Sequence, residues 1–272
     1  MHSFLRVVLI LVFALCAVPA SADFTPISLA FAPHAQFPRE DFTVTGLRLS
    51  LLYGQHRRMY GLDLGLVGNV TDSDFVGLAI AGGFNRTTGP AKAIGLQAAG
   101  IANVNHGRFS AFGAQAALVN YNLVEAFVAG VQVGGLANLA NKTTIYGAQL
   151  GVYNDGCSIY GFQLGVVNRA NSLNGVRIGS MSTSIFGVQA GLVNVTSSES
   201  SILGFQLGAV NLSGHSNING IQAGFFNKAD TVTGLQIGFI NISQALHGLQ
   251  IGFLNFSRST FFSVSPFLNI GF

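Results

Sequence analysis

Cysteine, charge and long hydrophobic runs are all scarce in this chain, and each shortage removes a class of fold or function. The two cysteines are Cys16 and Cys157. Cys16 lies in an amino-terminal apolar segment, so Cys157 stands alone in the rest and an intramolecular disulfide framework is excluded. Charged residues make up 8% of 272 positions and hydrophobic ones 49%, whereas an ordinary soluble domain is about 25% charged. Water is a poor solvent for such a surface. A membrane helix needs about 20 consecutive apolar residues, and the longest candidate beyond the amino-terminal segment, Ala126 to Ala140, is interrupted by Gln132 and Asn138. The formal net charge of +3 is too small and dispersed for a nucleic-acid surface. His34, His56, His106, His215 and His247 have no metal-ligand spacing, since a metal site needs several ligands at short or matched intervals. No G-x-S-x-G elbow and no phosphate-binding loop occurs. Asp72 and Asp74 read as a solvated turn. No cofactor and no enzymatic activity is expected.

The amino terminus has the layout of an export signal: Arg6, the apolar run Val7 to Leu15, then Ala20-Ser21-Ala22 before Asp23. Leu15 precedes Cys16 where lipidation needs a small residue. Residues 1–22 are therefore set aside as a signal peptide, and 23–272 is expected to form a single domain.

That domain is dominated by one repeat, G-x-Q-x-G-x-x-N, as in Gly147-Ala148-Gln149-Leu150-Gly151-Val152-Tyr153-Asn154, and again from Gly161, Gly187, Gly204, Gly220, Gly234 and Gly248. Looser copies start at Gly46, Gly61, Gly77, Gly95, Gly113, Gly130 and Gly175. Within a unit Gly161, Gln163 and Gly165 alternate with Tyr160, Phe162, Leu164 and Val166. A period of two is the period of a strand. Glycines at this density disfavour helix by about 1 kcal/mol each relative to Ala. The Asn that ends each unit, followed by Ser, Thr, Asp or Gly, reads as turn chemistry.

These features lead to an expectation of a transmembrane antiparallel β-barrel of about 14 to 16 short Gly-rich strands. A ten-residue unit tilted near 40° spans about 25 Å, the height of a barrel's apolar band. Aromatics directly before the motif Gly, at Tyr60, Phe112, Tyr146, Tyr160 and Phe186, would form two girdles if neighbouring strands ran in opposite directions. The chain ends in Phe272, with Ile270 and Leu268 on the same face, which resembles a barrel-assembly signal. The alternative is a β-solenoid. It is disfavoured because intervals between motif glycines vary from 12 to 18 residues, and stacked coils are expected to keep one length.

The repeat resembles that of the bacterial surface-repeat proteins of Gram-negative bacteria and spirochaetes, on residues such as Gly234-Leu235-Gln236-Ile237-Gly238-Phe239-Ile240-Asn241. The resemblance covers residues 46–255 and implies an outer-membrane or cell-surface location; it brings no activity with it.

Several residues are candidates for function. Gln97, Gln115, Gln132, Gln149, Gln163, Gln189, Gln206, Gln222, Gln236 and Gln250 would belt the inner wall, either lining a pore or forming an amide ladder that sets register. Arg48, Asp63 and Arg177 take the Gln position as inner-wall charges. His56, Arg57 and Arg58 form the one cationic cluster and could hold a lipid phosphate. The function expected is a non-enzymatic outer-membrane barrel, structural or lipid-associated, with outer-membrane lipid, further copies of itself and the barrel-assembly machinery as partners. The alternatives are a passive diffusion pore and a secreted or surface solenoid that binds a partner through a Gln-rich face. A half-greasy inner wall, with Tyr153, Val167, Phe226 or Leu254 beside the glycines, argues against an open general porin.

Overall fold

A computed structural model describes residues 24–32, 34–140, 143–156, 158–171, 184–197 and 201–272. Its strands pair in parallel and in the register of the repeat. Gly113 lies beside Gly130, Gln115 beside Gln132 and Asn120 beside Asn138; Gly147 pairs with Gly161 and Gln149 with Gln163. The same pairing continues to Gly234 and Gly248 near the carboxyl end. A strand that meets its successor in parallel, one repeat later and unit on unit, builds a coil. The fold is an all-β solenoid.

Each full turn has two strands joined by a bend. The first carries the motif Gly and Gln, as in Ser158–Leu164 and Ser201–Leu207; the second carries the Asn, as in Val167–Asn171 and Val193–Ser197. A connector then leads to the next turn. Three columns of side chains fill the interior. An apolar column two residues before the motif Gly contains Val44, Met59, Phe75, Val128, Ile145, Ile159, Ile202, Ile218, Val232 and Leu246, all buried. The motif Gln forms the second column and the motif Asn the third.

The motif glycine has a backbone reason. Gly147 has φ +136°, in the region that residues with a Cβ rarely adopt, and a Cβ built there would lie 2.0 Å from the Gly130 carbonyl oxygen. The second glycine is required for space: a Cβ on Gly165 would lie 2.1 Å from the Gly151 oxygen and 2.6 Å from Asn154 Nδ2. The vacant position is what admits the Asn side chain.

Antiparallel strands close the two ends. Phe24–Ala32 pairs in parallel with Thr43–Ser50 and antiparallel with the short strand Ala35–Phe37. Val264–Gly271 pairs antiparallel with the last coil strand, Ala245–Ser257.

The expected barrel is thus overturned: the strands run parallel in consecutive coils, and the porin-like outer-membrane barrel falls with it. Two physical reasons explain the error. Length variation is compatible with stacking, because the extra residues sit in bends and connectors, as at the register shift between Ala117 and Val119, while the Gly-to-Gln core of each turn keeps its length. Loops projecting from a coil leave the stacked strands undisturbed. The second reason is the Asn. In antiparallel neighbours a residue near one strand end lies far from its counterpart, whereas parallel stacking brings every Asn against the next. The aromatic girdles change accordingly: Tyr146 and Tyr160 pair directly, and Tyr160 pairs with Phe186, so they form one column. The unit at Gly175, with Arg177, lies outside the described residues, and Gly161 pairs directly with Gly187.

Candidate functional site: a polar core under an apolar skin

The ten motif glutamines form a continuous amide ladder. Each Nε2 donates to the Oε1 of the Gln one turn earlier, from Gln115 onto Gln97 to Gln250 onto Gln236, at 2.6–3.1 Å. All ten are buried. At the carboxyl end Asn269 Nδ2 donates to Gln250 Oε1 at 3.1 Å. The terminal antiparallel strand therefore supplies the donor that the next turn would have given.

The asparagines make a second ladder of opposite sense. Each Nδ2 donates to the Oδ1 of the Asn one turn later, from Asn69 onto Asn85 to Asn241 onto Asn255, at 2.7–3.0 Å. The same Nδ2 also donates to a main-chain carbonyl at the bend, as Asn154 does to Leu164 O at 2.7 Å. This second bond orients the amide and satisfies an acceptor that the bend takes out of the strand pairing. The two ladders' amide dipoles oppose one another. Asn255 donates to Ser265 O at 3.2 Å, so the terminal strand closes both ladders. At the other end Asn69 Oδ1 has no partner.

The first turns depart from the pattern. Arg48 and Asp63, in adjacent turns, occupy the Gln column and form a buried two-pronged pair, with Arg48 Nε to Asp63 Oδ1 at 2.7 Å and Nη2 to Oδ2 at 2.5 Å. Arg48 Nη1 also donates to Val70 O at 2.8 Å, and Nη2 to Thr71 Oγ1 at 3.2 Å. His56 is buried beside them, with Nδ1 3.4 Å from Arg48 Nη1 and Nε2 3.2 Å from Ser28 Oγ. A guanidinium only donates, so Nδ1 accepts and Nε2–H donates to Ser28. Burial, then the neighbouring Arg48 charge, lower the His56 pKa to about 3, partly offset by the Pro38 carbonyl. The Ser28–His56 pair has the composition of a nucleophile and base. However, its third member is a cation where such a triad needs a carboxylate, His56 is donor and not acceptor to the hydroxyl, and both residues are fully buried.

Burying the amides turns the large apolar side chains outward. In every described turn the two residues flanking the motif Gln are apolar, from Leu47 and Leu49 to Leu249 and Ile251. The bend carries the most exposed of them, including Leu66 at 66%, Leu192 at 60% and Phe225 at 61%. Phe225, Phe239 and Phe253 stack along the bend edge with ring centroids 4.9 Å apart, and Tyr146 and Tyr160 stack at 4.4 Å. Between a motif Gly and its Asn the described turns contain no charge except the buried Arg48 and Asp63. Charges collect after the Asn, in the second strands and connectors that lead to the next motif Gly, as at Arg57, Asp72, Asp74, Arg86, Arg108, Glu125, Arg169 and Lys228.

The cationic cluster is divided by the fold, with His56 inside and Arg57 exposed, while Arg58 lies 3.6 Å from Asp74. The Gln-rich binding face does not exist as a surface, because those amides are consumed by one another. Phe272 is fully exposed at the end of the capping strand, where a barrel-assembly signal has no barrel to serve. Among the described residues no group of three His, Cys, Asp or Glu side chains could hold a metal, and no helix is long and apolar enough to cross a membrane. An open cavity of about 740 Å³ lies at the amino-terminal end, lined by Leu29, Phe31, Phe37, Leu49, Leu51 and Leu64 with His34 and Gln36.

No protein-family model, curated protein or solved structure matches the chain.

The sequence reading missed the Asn ladder and the apolar column before the motif Gly. The usual preference of Asn is for turns. The available signal is its repetition: the residue directly after it varies among Val, Leu, Ile, Phe, Tyr, Arg, Lys and Asp, and a true turn residue has no need to be constant while its neighbours change.

Proposed function

We propose that the chain is an exported, non-enzymatic interaction scaffold, a rigid solenoid that meets its partner through its apolar outer surface. The observation that carries this reading is the inverted polarity of the coil. Amides that could recognise a polar ligand are spent on each other, while apolar side chains, Leu, Ile, Val and Phe with Ala among them, stand outside in columns. Apolar area left in water costs about 25 cal/mol per Å², and exposed patches this continuous mark interaction surfaces. The leader-like residues 1–22 support export, and the repeat's resemblance to surface-repeat proteins supports a cell-envelope location.

The test is the behaviour of the purified full chain in buffer with and without a mild detergent, read by sedimentation and by binding of an environment-sensitive apolar dye. The expected result is strong dye binding and a need for detergent to stay dispersed. Replacing Phe225, Phe239 and Phe253 together by Ser should reduce dye binding severalfold and leave the β-sheet spectrum unchanged. A wild-type chain that remains a dispersed monomer without detergent and binds no dye would overturn the proposal.

A further inference from the structure

We infer that the occupant of the apolar skin is the acyl-chain region of a lipid leaflet, into which the bend edge dips while the connector edge stays in water. This inference rests on the proposed role of the skin as the binding surface, and it names what covers it.

Three observations on the coil favour lipid over a protein partner. The apolar residues point in several directions at once: outward from the first strand, as at Phe205 and Leu207, around the bend, as at Phe225, and onto the start of the second strand, as at Phe226. A second rigid protein surface covers one such side and leaves the others wet, whereas fluid acyl chains cover all of them. Charge is segregated across the coil: between motif Gly and Asn of the described turns it is confined to the buried Arg48–Asp63 pair, and the rest lies chiefly in the second strands and connectors that run from the Asn to the next motif Gly, with both signs represented. That is the polarity of an element lying in an interface, with its apolar edge buried in the boundary between headgroups and chains. Finally, the cavity at the amino-terminal end is continuous with the same skin, because Leu49 and Leu51 belong to both. Its apolar lining and its volume of about 740 Å³ offer room for a single acyl chain. The coil spans nothing in this arrangement. The two ladders stay sealed beneath the skin, and no backbone edge needs to enter the hydrocarbon, since the end strands lie at the two ends of the axis.

The chain contains no tryptophan, so one introduced Trp is a sole reporter. The experiment places it at the bend in Phe239→Trp and at the connector in Gln244→Trp, using the full chain with phosphatidylcholine vesicles whose acyl chains are brominated. Both side chains reach the outside, so neither replacement disturbs the core; an unchanged β-sheet spectrum and melting curve verify this, and Leu66→Trp is the substitute bend reporter if Phe239→Trp fails to fold. The expected result is quenching of the bend reporter several-fold greater than that of the connector reporter. Equal quenching, or none, overturns the lipid assignment. If the bend reporter is already blue-shifted without vesicles and the protein sediments as a discrete oligomer, a second copy covers the skin; the lipid inference then falls and the proposed function stands. If the bend reporter keeps a water-exposed emission in a monomer with vesicles present, the lipid inference falls, and the proposed function falls with it only when the same chain also binds no apolar dye.

Discussion

Asn154 does more than Gln149, although both are buried amides in a ladder. Gln149 links Gln132 and Gln163 through one bond to each, whereas Asn154 accepts from Asn138 and donates both to Asn168 and to Leu164 O. Each buried polar group left without a partner costs on the order of 1–3 kcal/mol. Gln149→Leu is therefore expected to destabilise the coil, and Asn154→Leu to destabilise it more, as read from urea midpoints. The motif glycine is stricter still. Gly147→Ala puts a Cβ on a backbone of positive φ, 2.0 Å from a carbonyl oxygen of the neighbouring turn, and should abolish the cooperative transition. Gly214 supplies the contrast, because a Cβ there meets nothing within 4 Å. Gly214→Ala should leave the transition within experimental scatter of wild type.

Among the elements, the first turns carry the only buried charges in the described Gln column, and their energetics differ from the neutral ladder. Arg48 is anchored by Asp63, Val70 O and Thr71. Asp63→Asn strands the guanidinium without a counter-charge, a change that costs about 3–5 kcal/mol in buried pairs. The double replacement Arg48→Met with Asp63→Leu should recover most of that loss in denaturant melts, since an apolar filling carries no desolvation penalty. His56 adds a pH dependence of determinate sign. Its pKa is lowered to about 3 in the fold from an unfolded value near 6.5, so between these limits the unfolded chain binds the extra proton. Stability is full above pH 6.5 and falls as the pH drops toward 3, with a slope of up to about 1.4 kcal/mol per pH unit. Melting temperatures measured across that window should show the decline, and His56→Gln should reduce it.

At the scale of the whole molecule, a coil touches only its neighbours, so stability is close to a sum over turns and interfaces. Deleting residues 234–247 removes one turn and brings Gln222 against Gln250 and Asn227 against Asn255, in the register that Gln236 and Asn241 hold now. The shortened chain is expected to keep its β-sheet spectrum and lose only part of its stability. Removing residues 264–272 should do more harm, because it takes away Asn269 and Ser265, which close the two ladders, and exposes a bare sheet edge; aggregation followed by light scattering is the expected outcome. Much of this molecule is legible in its residues. The period of two declares strands, and the unit from Gly147 to Asn154 declares a repeat. Their shared motif position places Arg48 and Asp63 in one column, and the fold brings them together as a pair. The direction of the neighbouring strand was not legible, because an alternating strand can present the same Gln column in a hairpin or in a coil, and one-dimensional spacing does not say whether extra residues belong to the strands or to the bends. Tertiary structure decided it through the Asn, which aligns with its copies only when the strands run parallel. That one choice seals the glutamines inside the coil and leaves the leucines and phenylalanines as its surface.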